Sequence, residues 1–231
     1  MRIYQGTYQD KRGVETIAIK SDGSTMYLSL REIDFEGYDF EMMTGEIDAT
    51  KFDYDIRRDG SGGITNFQLT ITIPIQLYDN KTGKTFIEPL TIYVEVGETT
   101  TIDGLDSELT GLILNTSFGE FKVEKNLEWM EDALIAIQEQ LPSNIYLKTC
   151  ISCKYANYSP FGNGMFGSIY CFKNLKSILK KLNDKTDLLD IWTKEAMDNG
   201  NIFSVQETFD CPEHQLPTED DWYYKNWTKL M

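Results

Sequence analysis

Histidine is almost absent from this chain: His214 is the only one in 231 residues. Any serine–histidine or cysteine–histidine pair must use it, so nucleophilic catalysis of that kind finds little support and no catalytic residue is assigned. No uninterrupted apolar run approaches the ~20 residues of a membrane-spanning helix. No apolar stretch follows Met1-Arg-Ile-Tyr-Gln-Gly6 either, and the expectation is a soluble, cytoplasmic protein. Bases are scarce, 22 against 37 acids, for a net charge of −15, of which residues 1–122 carry −10. Such a field repels nucleic-acid phosphates and anionic membranes, which leaves a protein partner, basic if charge steers the encounter. Solubility alone is the plainer use of the same charge. No internal repeat and no low-complexity tract interrupts the chain.

Apolar residues make up 41% and aromatics 13%, enough for a substantial core in one large domain or two small ones. The first 122 residues read as β structure. Apolar and polar residues alternate in Glu15–Lys20, Thr25–Leu30 and Phe67–Ile73. Turn chemistry separates the runs: Ser21-Asp-Gly-Ser24, Asp59-Gly-Ser-Gly-Gly63, and Asp79-Asn-Lys-Thr-Gly83, which predicts a hairpin joining Ile75–Tyr78 to Thr85–Val96. Pro74 and Pro89 point to edge positions or strand ends. A helical period then appears at Leu127, Met130, Leu134, Ile137 and Leu141, predicting a helix over about Glu124–Gln140 that stops near Pro142. Beyond it the pattern predicts a strand over Asn144–Thr149, helices over Leu175–Leu182 and Asp187–Met197, and a strand over Ile202–Phe209. The expected fold is α+β: a sandwich-like antiparallel part over 1–122, then an α/β module over 123–231, the boundary blurred if the helix packs on the sheet.

The strongest chemical signal is the spacing of the cysteines. Cys150-x2-Cys153 is followed by Cys171 and then Cys211. In a chain without secretory character, thiols so grouped point to a tetrahedral zinc site rather than a disulfide frame. A knuckle at Cys150 and Cys153 would supply half the ligands, with Cys171 and Cys211 arriving from strand ends to close a structural Zn²⁺ site. Cys211-x2-His214 is the alternative second pair, with Cys171 merely buried. Buried unliganded thiols and a redox pair are the bland readings. The redox reading wants a helix after Cys153, where Lys154–Pro160 leads instead into a glycine-rich loop.

That loop and its surroundings, Tyr158-Ser-Pro-Phe-Gly-Asn163, Phe166-Gly167, Cys171-Phe-Lys173 and Val205-Gln-Glu207…Cys211-Pro212, resemble a family of uncharacterised bacterial proteins over about residues 145–215. The resemblance implies a working four-cysteine set and names no activity.

Other motifs are weaker. Thr82-Gly-Lys-Thr85 looks like the tail of a phosphate loop, but the upstream glycine is missing and a strand follows where a helix is required. The acids between Asp34 and Asp59 do not fit a calcium loop. Asp34, Glu36, Asp39 and Glu41 are the expected docking charges for a basic partner, against a plain solvated face. Asp220–Trp227 is aromatic enough for a surface anchor and more in keeping with a segment closing the core. Two functions compete. One is a non-enzymatic zinc-containing binding protein, in its most concrete form an immunity-type protein that neutralises a toxin. The other is a hydrolase using carboxylates or an open zinc site on Cys150, Cys153 and Cys171 plus water.

Overall fold

The computed structural model describes residues 1–47, 54–57, 61–101, 104–162, 164–195 and 200–227. Asp48, Asp53 and Asp59 of the acidic stretch, and Asn163 of the glycine-rich loop, lie outside the described residues. Five strands open the chain: β1 (Arg2–Asp10), β2 (Gly13–Ser21), β3 (Met26–Leu30), β4 (Ile33–Gly37) and β5 (Thr44–Gly45). A short pair follows, β6 (Asp55–Ile56) and β7 (Ile64–Thr65), then two long hairpins. These are β8 (Phe67–Asp79) with β9 (Lys84–Val96), and β10 (Glu108–Thr116) with β11 (Gly119–Leu127). Helix α1 (Met130–Gln140) leads to β12 (Ile145–Leu147). The C-terminal lobe contributes β13 (Ala156–Tyr158), β14 (Ile169–Cys171), α2 (Lys176–Leu179), α3 (Lys185–Glu195) and β15 (Phe203–Val205).

Most N-terminal strands join in one ten-stranded antiparallel sheet rather than two packed sheets, ordered β11-β10-β9-β8-β1-β2-β3-β4-β5, with β12 added alongside β8; β13-β14-β15 and β6-β7 form two smaller sheets. The alternation in β8 buries Phe67, Leu69, Ile71, Ile73, Ile75 and Leu77 on one face, and β9 adds Leu90, Ile92, Val94 and Val96. The cover over this apolar face is α1, packed on β10 and β11, together with the C-terminal lobe. Buried side chains from Tyr4 to Trp227 therefore make one continuous core. Residues beyond 122 are also woven into the sheet, because β12 pairs with β8 from Ile145↔Asp79 to Leu147↔Leu77.

The prolines obey the edge rule inside central strands. Pro74 lies opposite Pro89 in the β8–β9 ladder. The outer neighbour of β8 is β1 up to Thr72 and β12 from Leu77, so Pro74 falls in the gap between them. Pairing of β9 with β10 begins at Leu90, one residue past Pro89. Neither ring removes a donor that a neighbouring strand needs.

The helix starts later than its period predicts. Leu127 pairs with Thr110 at the end of β11, and α1 begins only at Met130. An apolar residue at strand spacing had extended the helical pattern by chance. The predicted strand over Ile202–Phe209 shortens to Phe203–Val205, and the predicted helix from Leu175 is a 3-10 turn at Lys173–Leu175 running into α2. The hairpin at Asp79–Gly83 is observed, with the Gly83 amide donating to Asp79 O (2.8 Å) and Gly83 at φ 69°; Thr82–Thr85 is thus the end of a hairpin turn running into β9 and not a phosphate loop.

Candidate functional site

The four thiols come from three separated pieces of chain that backbone hydrogen bonds draw together. Cys150–Ser152 is a 3-10 turn closed by the Ser152 amide donating to Thr149 O (3.1 Å) and the Thr149 amide donating to Ser152 Oγ (3.4 Å), and Cys153 follows with its amide donating to Cys150 O (3.1 Å). The Cys150 amide donates to Phe209 O (2.9 Å) and the Ile151 amide to Glu207 O (2.9 Å), which fixes the segment carrying Cys211 against the knuckle. Cys171 ends β14, and the Phe172 amide donates to Tyr155 O (2.8 Å), which joins that strand to the other side of the turn.

All four cysteines are free thiols; Cys150, Cys153 and Cys171 are buried and Cys211 is half-buried. Burial pushes the Cys150 thiol well above its ordinary range, and the neighbouring charges of Cys153, Cys171 and Cys211 add to the shift. Burial likewise raises Cys171 to about 11, against an amide N–H of Lys173 that favours its thiolate. The thiols thus lie within electrostatic reach of one another. As the side chains stand, no group of three or more His, Cys, Asp or Glu among the described residues is arranged to hold a metal ion.

Lysines surround the thiols. Lys225 is half-buried; its ammonium donates to Cys153 O, and desolvation lowers it to about 8 against the pull of Cys153, Glu131 and Cys150. Lys173 and Lys176 sit on the outer side, both paired with Glu213 (3.2 and 2.7 Å), Lys173 within reach of Cys171 and Cys211 and Lys176 of Cys153. His214 stands apart: burial and the charges of Lys225 and Lys148 lower it to about 4, and no thiol contributes. Its Nε2 lies 2.8 Å from Ser152 Oγ. The Ser152 hydroxyl donates to Leu147 O (2.6 Å) and the residue is fully buried. The neutral ring is then the donor to Ser152, the reverse of what activating a serine nucleophile requires.

Beside the thiols, the glycine-rich loop is pressed onto the turn at Tyr38–Met43. The Phe166 amide donates to Asp39 Oδ1 (3.0 Å), and the Phe166 ring stacks on Phe40 with centroids 4.8 Å apart. Gly167 has φ 84° and lies so close to Tyr38 O that a Cβ would overlap it; a Cβ on Gly164 would overlap Asp39 Oδ2. Glu207 anchors the loop from below, accepting from the Gly167 amide (2.6 Å), the Ser168 amide (3.3 Å) and Tyr158 Oη (3.5 Å). Burial still lifts Glu207 to about 7, overcoming those donors.

The four expected docking acids do not form one surface. Asp34 and Glu36 are exposed on the rim of a broad depression across β3–β5. Glu41 is half-buried and paired with Arg57 (3.3 Å). Asp39 is fully buried, so its place among surface charges is corrected: the glycine-rich loop covers it. Its depth was invisible in sequence because the contact that buries it is made by Phe166, far along the chain. The C-terminal segment closes the core: Trp227 is buried, the Asn226 and Trp227 amides donate to Glu131 Oε1 (2.6 and 3.2 Å), and the Tyr224 amide donates to Asn157 (2.6 Å).

A family model described as a family of unknown function, DUF6304, matches residues 2–156, more than half of the chain, and the chain belongs to that family. No curated protein and no solved structure matches it. The match runs through the large sheet, α1, β12 and the Cys150–Cys153 turn, and ends before Cys171 and Cys211. It therefore rests on the N-terminal part, to which the motif resemblance over 145–215 assigned little.

Proposed function

We propose that this chain is a non-enzymatic binding protein whose C-terminal lobe is stapled by one structural Zn²⁺ on Cys150, Cys153, Cys171 and Cys211. The observation that carries the reading is the gathering of four free thiols from three segments, mutually within electrostatic reach. The side chains must still rearrange to bring the sulfurs to the about 2.3 Å that zinc requires. Four thiolates on Zn²⁺ carry a net charge of about −2. Lys225, Lys173 and Lys176 supply the compensating field that a buried cluster of that sign needs. His214 is committed to Ser152, which favours the all-cysteine set over a Cys211–His214 pair.

On that staple the acidic sheet acts by occluding a basic partner, and the concrete form is an immunity-type protein directed at a toxin. The hydrolase reading draws on one observation: Cys211 is the least buried thiol, so a site losing it would keep Cys150, Cys153 and Cys171 with an open fourth position. Metal analysis of protein purified without chelator decides between them. About one Zn²⁺ per chain is expected, lost in Cys171→Ser and Cys211→Ser and kept in His214→Ala. Metal retained in Cys211→Ser would favour the open site. Metal-free protein whose melting is unchanged by chelator overturns the staple.

A further inference from the structure

The large sheet buries one face beneath α1 and the C-terminal lobe, while every outward position of β1, β2, β8 and β9 is exposed or half-buried. With β10 these strands form a band, ordered β10-β9-β8-β1-β2. Its outward face is nearly free of charge, in a chain of which 26% is charged. β1 presents Ile3, Gln5, Thr7 and Gln9, and no outward residue is charged on β8 from Gln68 to Tyr78 or on β10 from Leu109 to Asn115. β2 adds one charge, Lys20, and β9 one, Glu95, each toward a strand end. Ile3, Val14 and Ile87 all stand on this face and are 58%, 62% and 61% exposed. Across its middle the register sets Thr16 beside Thr7, Thr7 beside Thr70, and Thr72 beside Thr91, whose hydroxyls lie 3.3 Å apart. Such β-branched side chains are stiff, so little rotamer freedom is left to lose on contact.

We infer that a second copy of this chain docks on this face, sheet against sheet, about a twofold axis over β8. At −15 per chain two copies repel each other, and a face nearly free of charge is what chains of like sign need in order to meet. A basic partner would gain nothing from a face without acids. The size also fits. Five strands about 4.8 Å apart, with about 3.3 Å for each of nine residues in β1, span about 24 by 30 Å, or roughly 700 Å², near the about 800 Å² each partner buries in a standard interface. β8 is the middle strand of the band, so laying β8 over β8 places each half of the band on the other half, as a twofold contact requires. Thr72, exposed and midway along β8, then lies near its own counterpart. Asp34 and Glu36 on β4 fall outside the band and stay open to solvent. This inference goes beyond the binding-protein reading and needs neither the zinc nor a basic partner.

Sedimentation of the full chain under reducing conditions, over a micromolar-to-millimolar concentration series at low and high salt, is the test. A monomer–dimer equilibrium should appear and strengthen as salt rises, because screening removes the repulsion between copies. Thr72→Glu should weaken the dimer at least about tenfold, since it sets two like charges close together at the axis. Lys181→Glu, a larger change of charge at an exposed position on the lobe, should leave the dimer nearly unchanged. Thr72→Lys should also weaken self-association, and mixing it with Thr72→Glu should restore association, because opposite charges then face each other. That recovery also shows that both variants are folded. A chain that stays monomeric at high salt, a dimer that Thr72→Glu does not weaken, or a mixture that does not recover overturns the inference. Zinc-free protein that still dimerises would sink the staple and leave this face standing; zinc-loaded protein that stays monomeric overturns the face alone.

Discussion

The large sheet and the cysteine lobe bury their charges in opposite ways. In the sheet, Arg31 reaches Asp10 with two bonds (2.6 and 2.9 Å), also bonds Glu15, and lies over the rings of Tyr8 and Tyr54. Burial pushes Asp10 up, and the Arg31 fork with the Arg12 amide more than reverses it, leaving the carboxyl below its ordinary value. Around the lobe, Asp39 and Glu207 are fully buried with only amides and a tyrosine for partners, and Glu131 takes two amides of the C-terminal segment. Burial is the largest influence on all three, and all three are raised. Glu108 on β10 is the exception within the sheet: burial and the neighbouring Glu41 raise it to about 8. The lobe is short strands, 3-10 turns and unbalanced charge, which is the composition expected where a ligand supplies part of the stability.

The largest test of this contrast is removal of the proposed zinc. Structural zinc contributes about 10–16 kcal/mol of apparent binding energy in zinc-finger peptides, so chelation, or Cys150→Ser, should expose the lobe selectively. Hydrogen exchange should accelerate at amides of β13, β14 and β15 while β8 and β9 keep their protection. Equal loss across both regions would show that the continuous core makes them one cooperative unit and would break the comparison.

Next in size is the ion pair of the sheet. The Asp10 and Arg31 side chains are 5% and 10% exposed, so Arg31→Met leaves a buried carboxylate without its partner and should cost about 3–5 kcal/mol. Adding Asp10→Asn should recover much of that loss. Denaturant melts of the two single variants and the double measure it. A loss confined to the lobe would contradict the assignment.

Much of this contrast is legible in the residues and part of it is not. Alternation marked β2, β3 and β8, and the turn residues at Asp79–Gly83 marked their hairpin, because a half-buried strand and a tight turn are local facts. β1 escaped notice because its buried residues, Tyr4 and Tyr8, are amphipathic and four apart. The turn joining β3 to β4 was hidden as well: Arg31 and Glu32 both take positive φ (53° and 67°) with no glycine to announce it. Spacing singled out the cysteines; backbone hydrogen bonds draw their segments together, and among the described residues no group of three or more is arranged to hold a metal ion. The burial of Asp39 was not legible, since periodicity reports which face a residue takes and not what later folds over it.

A smaller effect concerns pH and has one sign at Glu207 and Glu131 and the opposite sign at Asp10. Glu207 and Glu131 rise from 4.5 to about 7 in the folded protein, so folding takes up protons between those values. Their stabilisation is complete below about pH 4.5 and is lost as pH rises toward 7. Asp10, lowered from 3.8, does the reverse: its contribution holds above that value and disappears as pH falls through the lowered one. Glu207→Gln should flatten the fall in stability between about pH 4.5 and 7 by roughly 1–3 kcal/mol. The difference between parent and variant carries the result, because acid release of the proposed zinc would have the opposite sign in the parent's own curve. An unchanged slope would mean that the amides of Gly167 and Ser168 keep Glu207 ionised.

The smallest expected effect separates the exposed acids from the uncharged face. Asp34 and Glu36 stand in solvent, where a charge attracts an approaching partner through a screening length of about 8 Å at physiological ionic strength. Reversing both to lysine should slow association of an arginine-rich peptide several-fold at low salt, and the difference should close as salt rises, with dissociation nearly unchanged. Self-association through the uncharged face should do the opposite and strengthen as salt rises. Stopped-flow rates for the peptide and sedimentation of the chain, each across a salt series, distinguish the two. An effect of the reversal on dissociation would place the exposed acids inside the contact itself. Peptide association indifferent to salt would leave the charge of the sheet with solubility as its whole purpose.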